Sequence, residues 1–123
     1  KVIKFISHCE DMPNAYKLAN VVVSASIEPE AFGRVSVEAQ SMSKVIVASD
    51  IGGSNETILK DKSGFLFESG NANLLAEQIN KVMNMENNLL HSMGIEGRKN
   101  ILKKFDVEKM CNSTLSEYKK LIK

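Results

Sequence analysis

Four short apolar runs punctuate the chain up to residue 68: VIKFIS (2–7), VVVSAS (21–26), VIVAS (45–49) and GFLFE (64–68). None alternates cleanly between apolar and polar positions. Continuous runs of this length read as strands covered on both faces, the pattern of a parallel sheet. Helical segments separate them: NAYKLAN (14–20), GRVSVEAQSM (33–42) and NETILK (55–60). In the second of these, Val35, Ala39 and Met42 fall on one face. The alternation predicts an open α/β sheet of about four parallel strands, joined by right-handed crossovers. Beyond residue 68 the pattern is helical only. Ala72, Leu75, Ile79 and Val82 form one stripe, and Leu90, Gly94, Gly97 and Ile101 form another. Two glycines within a helical stripe each cost about 1 kcal/mol relative to alanine, which makes sense where that helix packs closely on another. A last helix opens at Asp106, a suitable N-cap, and carries Val107, Met110, Leu115, Tyr118 and Ile122.

Length and composition add boundaries to this picture. The 123 residues, 43% apolar and 25% charged, suit one ordinary globular domain. The net charge of +1 and the interleaving of Lys with Glu and Asp in the last third exclude a nucleic-acid footprint. No apolar run approaches the ~18 residues of a membrane span. Cys9 and Cys111 are far apart and match no metal or redox spacing. They read as reduced thiols of a cytoplasmic protein, with peripheral contact at the inner face of a membrane left open. The chain starts at Lys1 on a strand-like run, so a fragment of a longer protein is one expectation.

The stretch EPEAFGRVSVEAQ (28–40) poses a chemical question. One of the two arginines in the chain, Arg34, sits in the first turn of a helix. There it opposes the helix dipole, and Arg before Glu38 is the weaker order for an i,i+4 pair. Helix stability therefore does not explain the arrangement, whereas an anion does. A helix N-terminus offers unpaired N–H groups to a phosphate. Gly33 lets a ligand approach the backbone, and Arg34 adds a planar cationic fork. Glu30 precedes this helix and Glu38 lies on its second turn, so carboxylates flank the phosphate position. That is the order of groups in a nucleotide-sugar: ribose hydroxyls, a diphosphate, then sugar hydroxyls. Plainer readings stand beside this one: Glu38 and Arg34 as solvated helix residues, Glu30 as a loop carboxylate, Gly52–Gly53 as a simple turn.

From SHCEDMP (7–13) through the Glu30–Glu38 stretch to SGFLF (63–67), the sequence resembles the C-terminal domain of family 4 retaining glycosyltransferases. The resemblance implies a Rossmann-like sheet with a helical C-terminal tail, half of the two-domain GT-B fold. It implies transfer of a sugar from a UDP-, GDP- or ADP-linked donor to a glycan or glycolipid acceptor, with retention of configuration and without metal or cofactor. By that resemblance Glu30 is the catalytic glutamate of an E-x7-E motif and contacts the transferred sugar. Phe32, Gly33 and Arg34 line the sugar and diphosphate, and Glu38 holds the ribose hydroxyls. His8 and Met12 border the nucleobase, and Gly52 and Gly53 leave room around the donor. The N-terminal GT-B domain, which binds the acceptor, is absent from these residues and could reside on another chain. The alternative is a truncated, non-catalytic remnant or nucleotide-sugar-binding module. Ser43 stands where the family often has glycine; a left-handed conformation there would cost roughly 1 kcal/mol.

Overall fold

The computed structural model describes residues 2–122. Its elements run in the order α1 (Met12–Leu18), β1 (Val22–Ser24), α2 (Arg34–Ser41), β2 (Ile46–Ser49), α3 (Ser54–Thr57), β3 (Gly64–Phe67), α4 (Ala72–Met83), α5 (Asn87–Lys104) and α6 (Val107–Leu121). The three strands form one parallel sheet in the order β1-β2-β3, with Val22 opposite Ile46 and Ile46 opposite Gly64.

The predicted α/β sheet flanked by helices is therefore present, with three strands instead of about four. The run 2–7 is not a strand. It pairs with nothing among the described residues, and Val2, Phe5 and Ile6 are 103%, 91% and 75% exposed. An apolar run becomes a buried strand only when a neighbouring strand takes its N–H and C=O groups and helices cover its faces. The described chain supplies neither beside it.

Where helices do cover the sheet, the alternating side chains of residues 45–48, β2 and the residue before it, divide the core in two. Val45 and Val47 pack with Phe65, Phe67, Val82 and Met93, which places α4 and α5 on that face. Ile46 and Ala48 pack with Tyr16, Ala39 and Ile58, which places α1 and α2 on the other. Both faces of β2 are fully buried, as its unbroken apolar run requires.

Local chemistry explains most element ends. Asp11 caps α1 by accepting from the Asn14 N–H at 3.2 Å, and Pro13 sits in the first turn. Lys44 Nζ donates to the Lys17 and Ala19 carbonyls at the other end, at 2.9 and 3.0 Å. Asp106 caps α6 by accepting from the Lys109 N–H at 3.0 Å, as the sequence predicts, and Asn71 caps α4 by accepting from the Leu74 N–H. Just past α2 and its C-cap Met42, Ser43 takes the left-handed conformation considered above, at φ +57°. Asp61 takes a second such turn at φ +60°.

The glycine stripe of α5 has the purpose its pattern suggested. A β-carbon on Gly94 would lie 2.1 Å from the Ser43 carbonyl oxygen, and one on Gly97 would lie 3.2 Å from Gln40. Helix α5 thus presses directly on the C-terminal end of α2. A buried polar network locks this contact. Gln40 Nε2 donates to the Ser36 and Thr57 carbonyls, Ser63 Oγ donates to Gln40 Oε1 at 2.7 Å, and Asn100 Nδ2 donates to the Thr57 carbonyl at 3.2 Å. Each partner is buried, so these bonds hold α2 in one register.

Candidate nucleotide-sugar site

Parallel strands place their carboxyl ends on the same edge of the sheet, and the loops that follow β1, β2 and β3 meet there. Two hydrogen bonds stitch them together. The Gly53 N–H donates to the Glu30 carbonyl at 2.9 Å, and Ser69 Oγ donates to the Ser26 carbonyl at 3.1 Å. A β-carbon on Gly52 would lie 2.4 Å from the Glu30 carbonyl oxygen, and one on Gly53 would lie 2.3 Å from that of Phe32. The immediate use of both glycines is therefore to receive the Glu30–Phe32 backbone. They set the position of the loop that carries the candidate catalytic carboxylate.

Gly33 ends that loop in the left-handed region at φ +74° and starts α2 with no side-chain cap. Its carbonyl accepts from the Ser36 and Val37 N–H groups. The Arg34 and Val35 N–H groups have no hydrogen-bond partner among the described residues. A helix start of this kind presents donors and partial positive charge to an anion. Arg34 is the adjacent cation, with its side chain 84% exposed.

The two glutamates are each held by a hydroxyl. Ser26 Oγ donates to Glu30 Oε1. Tyr16 Oη donates to Glu38 Oε2 at 2.9 Å, while Arg34 Nη2 donates to Glu38 Oε1 at 3.0 Å. Burial of the Tyr16 hydroxyl, and then its hydrogen bond to the Glu38 carboxylate, raise its pKa from the ordinary 10 to about 12. It therefore stays a proton donor throughout the neutral range.

Phe32 is half-exposed and meets the edge of Phe105, with ring centroids 5.6 Å apart. His8 lies in the exposed segment before α1, and Met12 opens α1 with 37% of its surface exposed. The described hydrogen bonds do not link either residue to the Glu30–Glu38 cluster. The structure thus gathers Glu30, Phe32, Gly33, Arg34, Glu38, Gly52 and Gly53 at one edge and leaves His8 exposed before α1 and Met12 exposed at its first position. Tyr16, Ser26 and Ser69 were not singled out from the sequence. Tyr16 falls on a short helix with an ordinary apolar pattern, and its bond to Glu38 spans 22 residues.

The fold and the edge just described define a parallel α/β unit with an anion-ready helix start between two oriented carboxylates. Residues 1–100 match the family described as glycosyl transferases group 1, and the chain belongs to that family. It is 32% identical, over 94% of its length, to the capsular polysaccharide biosynthesis glycosyltransferase CapM of Staphylococcus aureus. A glycosyltransferase structure from Rickettsia africae superposes with a TM-score of 0.92 at 34% identity, covering 98% of this chain. The Anabaena protein HepE, solved in complex with UDP-glucose, superposes at 0.84 with 30% identity over 93% of this chain. In each case the chain spans 32% of the other protein's length. No described helix is long and apolar enough to cross a membrane.

Proposed function

We propose that this chain is the donor-binding half of a retaining glycosyltransferase of the GT-B type, a C-terminal nucleotide-sugar-binding domain. The observation that carries the proposal is the left-handed Gly33 at the start of α2, bracketed by two carboxylates that hydroxyls hold in place. In this reading the Arg34 and Val35 N–H groups and the Arg34 guanidinium receive the diphosphate. Their fixed donors stabilise negative charge as the sugar leaves it, so no metal is needed for that step. Glu38 accepts from the ribose hydroxyls. Glu30, held by Ser26, touches the transferred sugar and is the catalytic residue. Phe32 lines the sugar side, Gly52 and Gly53 hold the loop, and His8 and Met12 border the nucleobase.

The relatives are about three times as long, so the acceptor-binding half belongs to the remaining length, carried on the same chain or another. The acceptor class is a cell-envelope glycan or glycolipid, as the name of the Staphylococcus aureus relative suggests. The UDP-glucose bound to HepE makes a uridine nucleotide the first donor to test.

The test is an amide NMR titration of this chain with UDP, GDP and ADP at millimolar concentration, since half of a cleft binds weakly. Shifts clustered from Gly33 to Glu38 and lost in Glu38→Ala support the reading and name the base. A folded spectrum that none of the three nucleotides perturbs overturns it and leaves a remnant without donor binding.

A further inference from the structure

Tyr16 stands outside the Glu30–Glu38 stretch, yet it contacts Glu38 from a buried ring. Its ring is buried against Ala39, Ile46, Ala48 and Ile58, with 6% of its surface exposed. Its hydroxyl emerges from this apolar layer and donates to Glu38 Oε2 at 2.9 Å. The other oxygen of Glu38 is held differently. Arg34 reaches it from solvent, and an exposed i,i+4 ion pair is weak, screened and readily exchanged. Glu38 thus has one oxygen anchored from inside the protein and one that a ligand can share or take over. An ionised carboxylate offers roughly four lone-pair sites, so both contacts still leave acceptor capacity.

We propose that Tyr16 is a positioning residue for recognition of the nucleotide ribose: by anchoring Glu38 Oε2 it fixes the carboxylate plane to which a vicinal diol donates. The proposal rests on the donor-binding reading above and adds to it a named source of ribose selectivity. A freely rotating glutamate pays an ordering cost each time it binds two hydroxyls. A packed aromatic ring has paid that cost on folding. The Tyr16 hydroxyl also keeps its proton far above neutral pH, so its direction of donation does not change over the working range.

The experiment compares UDP with 2′,3′-dideoxyuridine diphosphate, which keeps the base and diphosphate and lacks both ribose hydroxyls. Amide NMR titrations of the full chain are run on the unsubstituted protein, Tyr16→Phe, Glu38→Ala and Arg34→Ala. Phenylalanine keeps the packed ring and removes only the hydroxyl. The unsubstituted chain is expected to prefer UDP by roughly tenfold, the size of hydrogen bonds to a charged group. Tyr16→Phe should weaken UDP about three- to tenfold and leave the dideoxy nucleotide unchanged. Glu38→Ala should abolish the preference, and Arg34→Ala should weaken both nucleotides alike through the diphosphate. If Tyr16→Phe weakens both equally, or neither, Tyr16 is only a structural tie between α1 and α2 and the proposal fails while donor binding stands. Equal binding of both nucleotides by the unsubstituted chain removes Glu38, and Tyr16 with it, from ribose recognition. Binding of neither nucleotide overturns the donor-binding reading as well.

Discussion

Tyr16 makes two contributions that can be separated, because its ring and its hydroxyl face different surroundings. The ring is part of the apolar layer under α2, and the hydroxyl is the donor to Glu38. Burial first, and the carboxylate second, raise its ionisation from the ordinary 10 to about 12. The linkage has a definite sign. Between these two values the unfolded chain releases the tyrosine proton while the folded chain keeps it, so rising pH favours unfolding. The stabilisation is fully present below pH 10 and is lost as pH rises toward about 12. Denaturant unfolding followed from pH 8 upward should therefore show a steeper alkaline loss in the unsubstituted protein than in Tyr16→Phe. Identical slopes would mean that the hydroxyl is not held in the folded state. The contact also shows why part of the site was hidden in the sequence. Gly33, Arg34 and Glu38 are contiguous on one loop and helix, so their spacing and their conflict with the dipole could be read directly. Tyr16 and Ser69 reach the cluster only through the fold, Ser69 across 43 residues to Ser26.

Elements that meet through backbone give sharper predictions than those that meet through flexible side chains. The α5–α2 contact contains both kinds. At Gly94 a β-carbon would strike the Ser43 carbonyl oxygen at 2.1 Å, and a backbone atom moves only if a helix moves. Gly94→Ala should destabilise by about 1–3 kcal/mol, despite the better helix propensity of alanine. At Gly97 the neighbours are the Gln40 side chain and Ser63 Cβ at 3.2 Å. Small shifts accommodate that crowding, so Gly97→Ala should cost clearly less. Chemical denaturation of both variants checks the order, and a Gly97→Ala loss as large as that of Gly94→Ala would contradict it. Ser43 gives the opposite sign. It adopts φ +57° without the freedom of glycine, at about 1–2 kcal/mol. Glycine there relieves that strain but adds unfolded-state entropy of roughly 0.4–1 kcal/mol. Ser43→Gly should therefore stabilise the protein by a few tenths to about 1 kcal/mol, read as a raised denaturation midpoint. The glycine stripe was legible because its cost on an isolated helix demands a close neighbour. The failed strand at 2–7 was not, because an apolar run does not say whether anything is present to pair with it.

On the scale of the whole molecule, two stretches of the described residues carry clustered apolar side chains outside the core. One is the segment with Val2, Ile3, Phe5 and Ile6; the other is α6, which buries none of its residues and exposes Val107, Met110, Leu115 and Tyr118, with Ile122 exposed just past its end. These positions recur on one helical stripe, the signature of a face that packs against something. The first turns of α6 approach Phe32 and Phe105 across an open apolar trough of about 470 Å³ lined also by Val107 and Met110. Beyond Ser113 that trough gives no cover. The stability of the fold should therefore reside in residues up to Phe105, where the buried clusters and the Gln40 network lie. A chain ended after Phe105 should unfold cooperatively and lose less than about 1 kcal/mol, which is a shift of only a few degrees for a domain of this size. The same deletion removes exposed apolar surface of the kind that drives association. Thermal unfolding and sedimentation measured on both lengths separate these effects. A near-unchanged midpoint with reduced self-association is expected. A large fall in the midpoint would show that α6 packs against the body of the domain in solution.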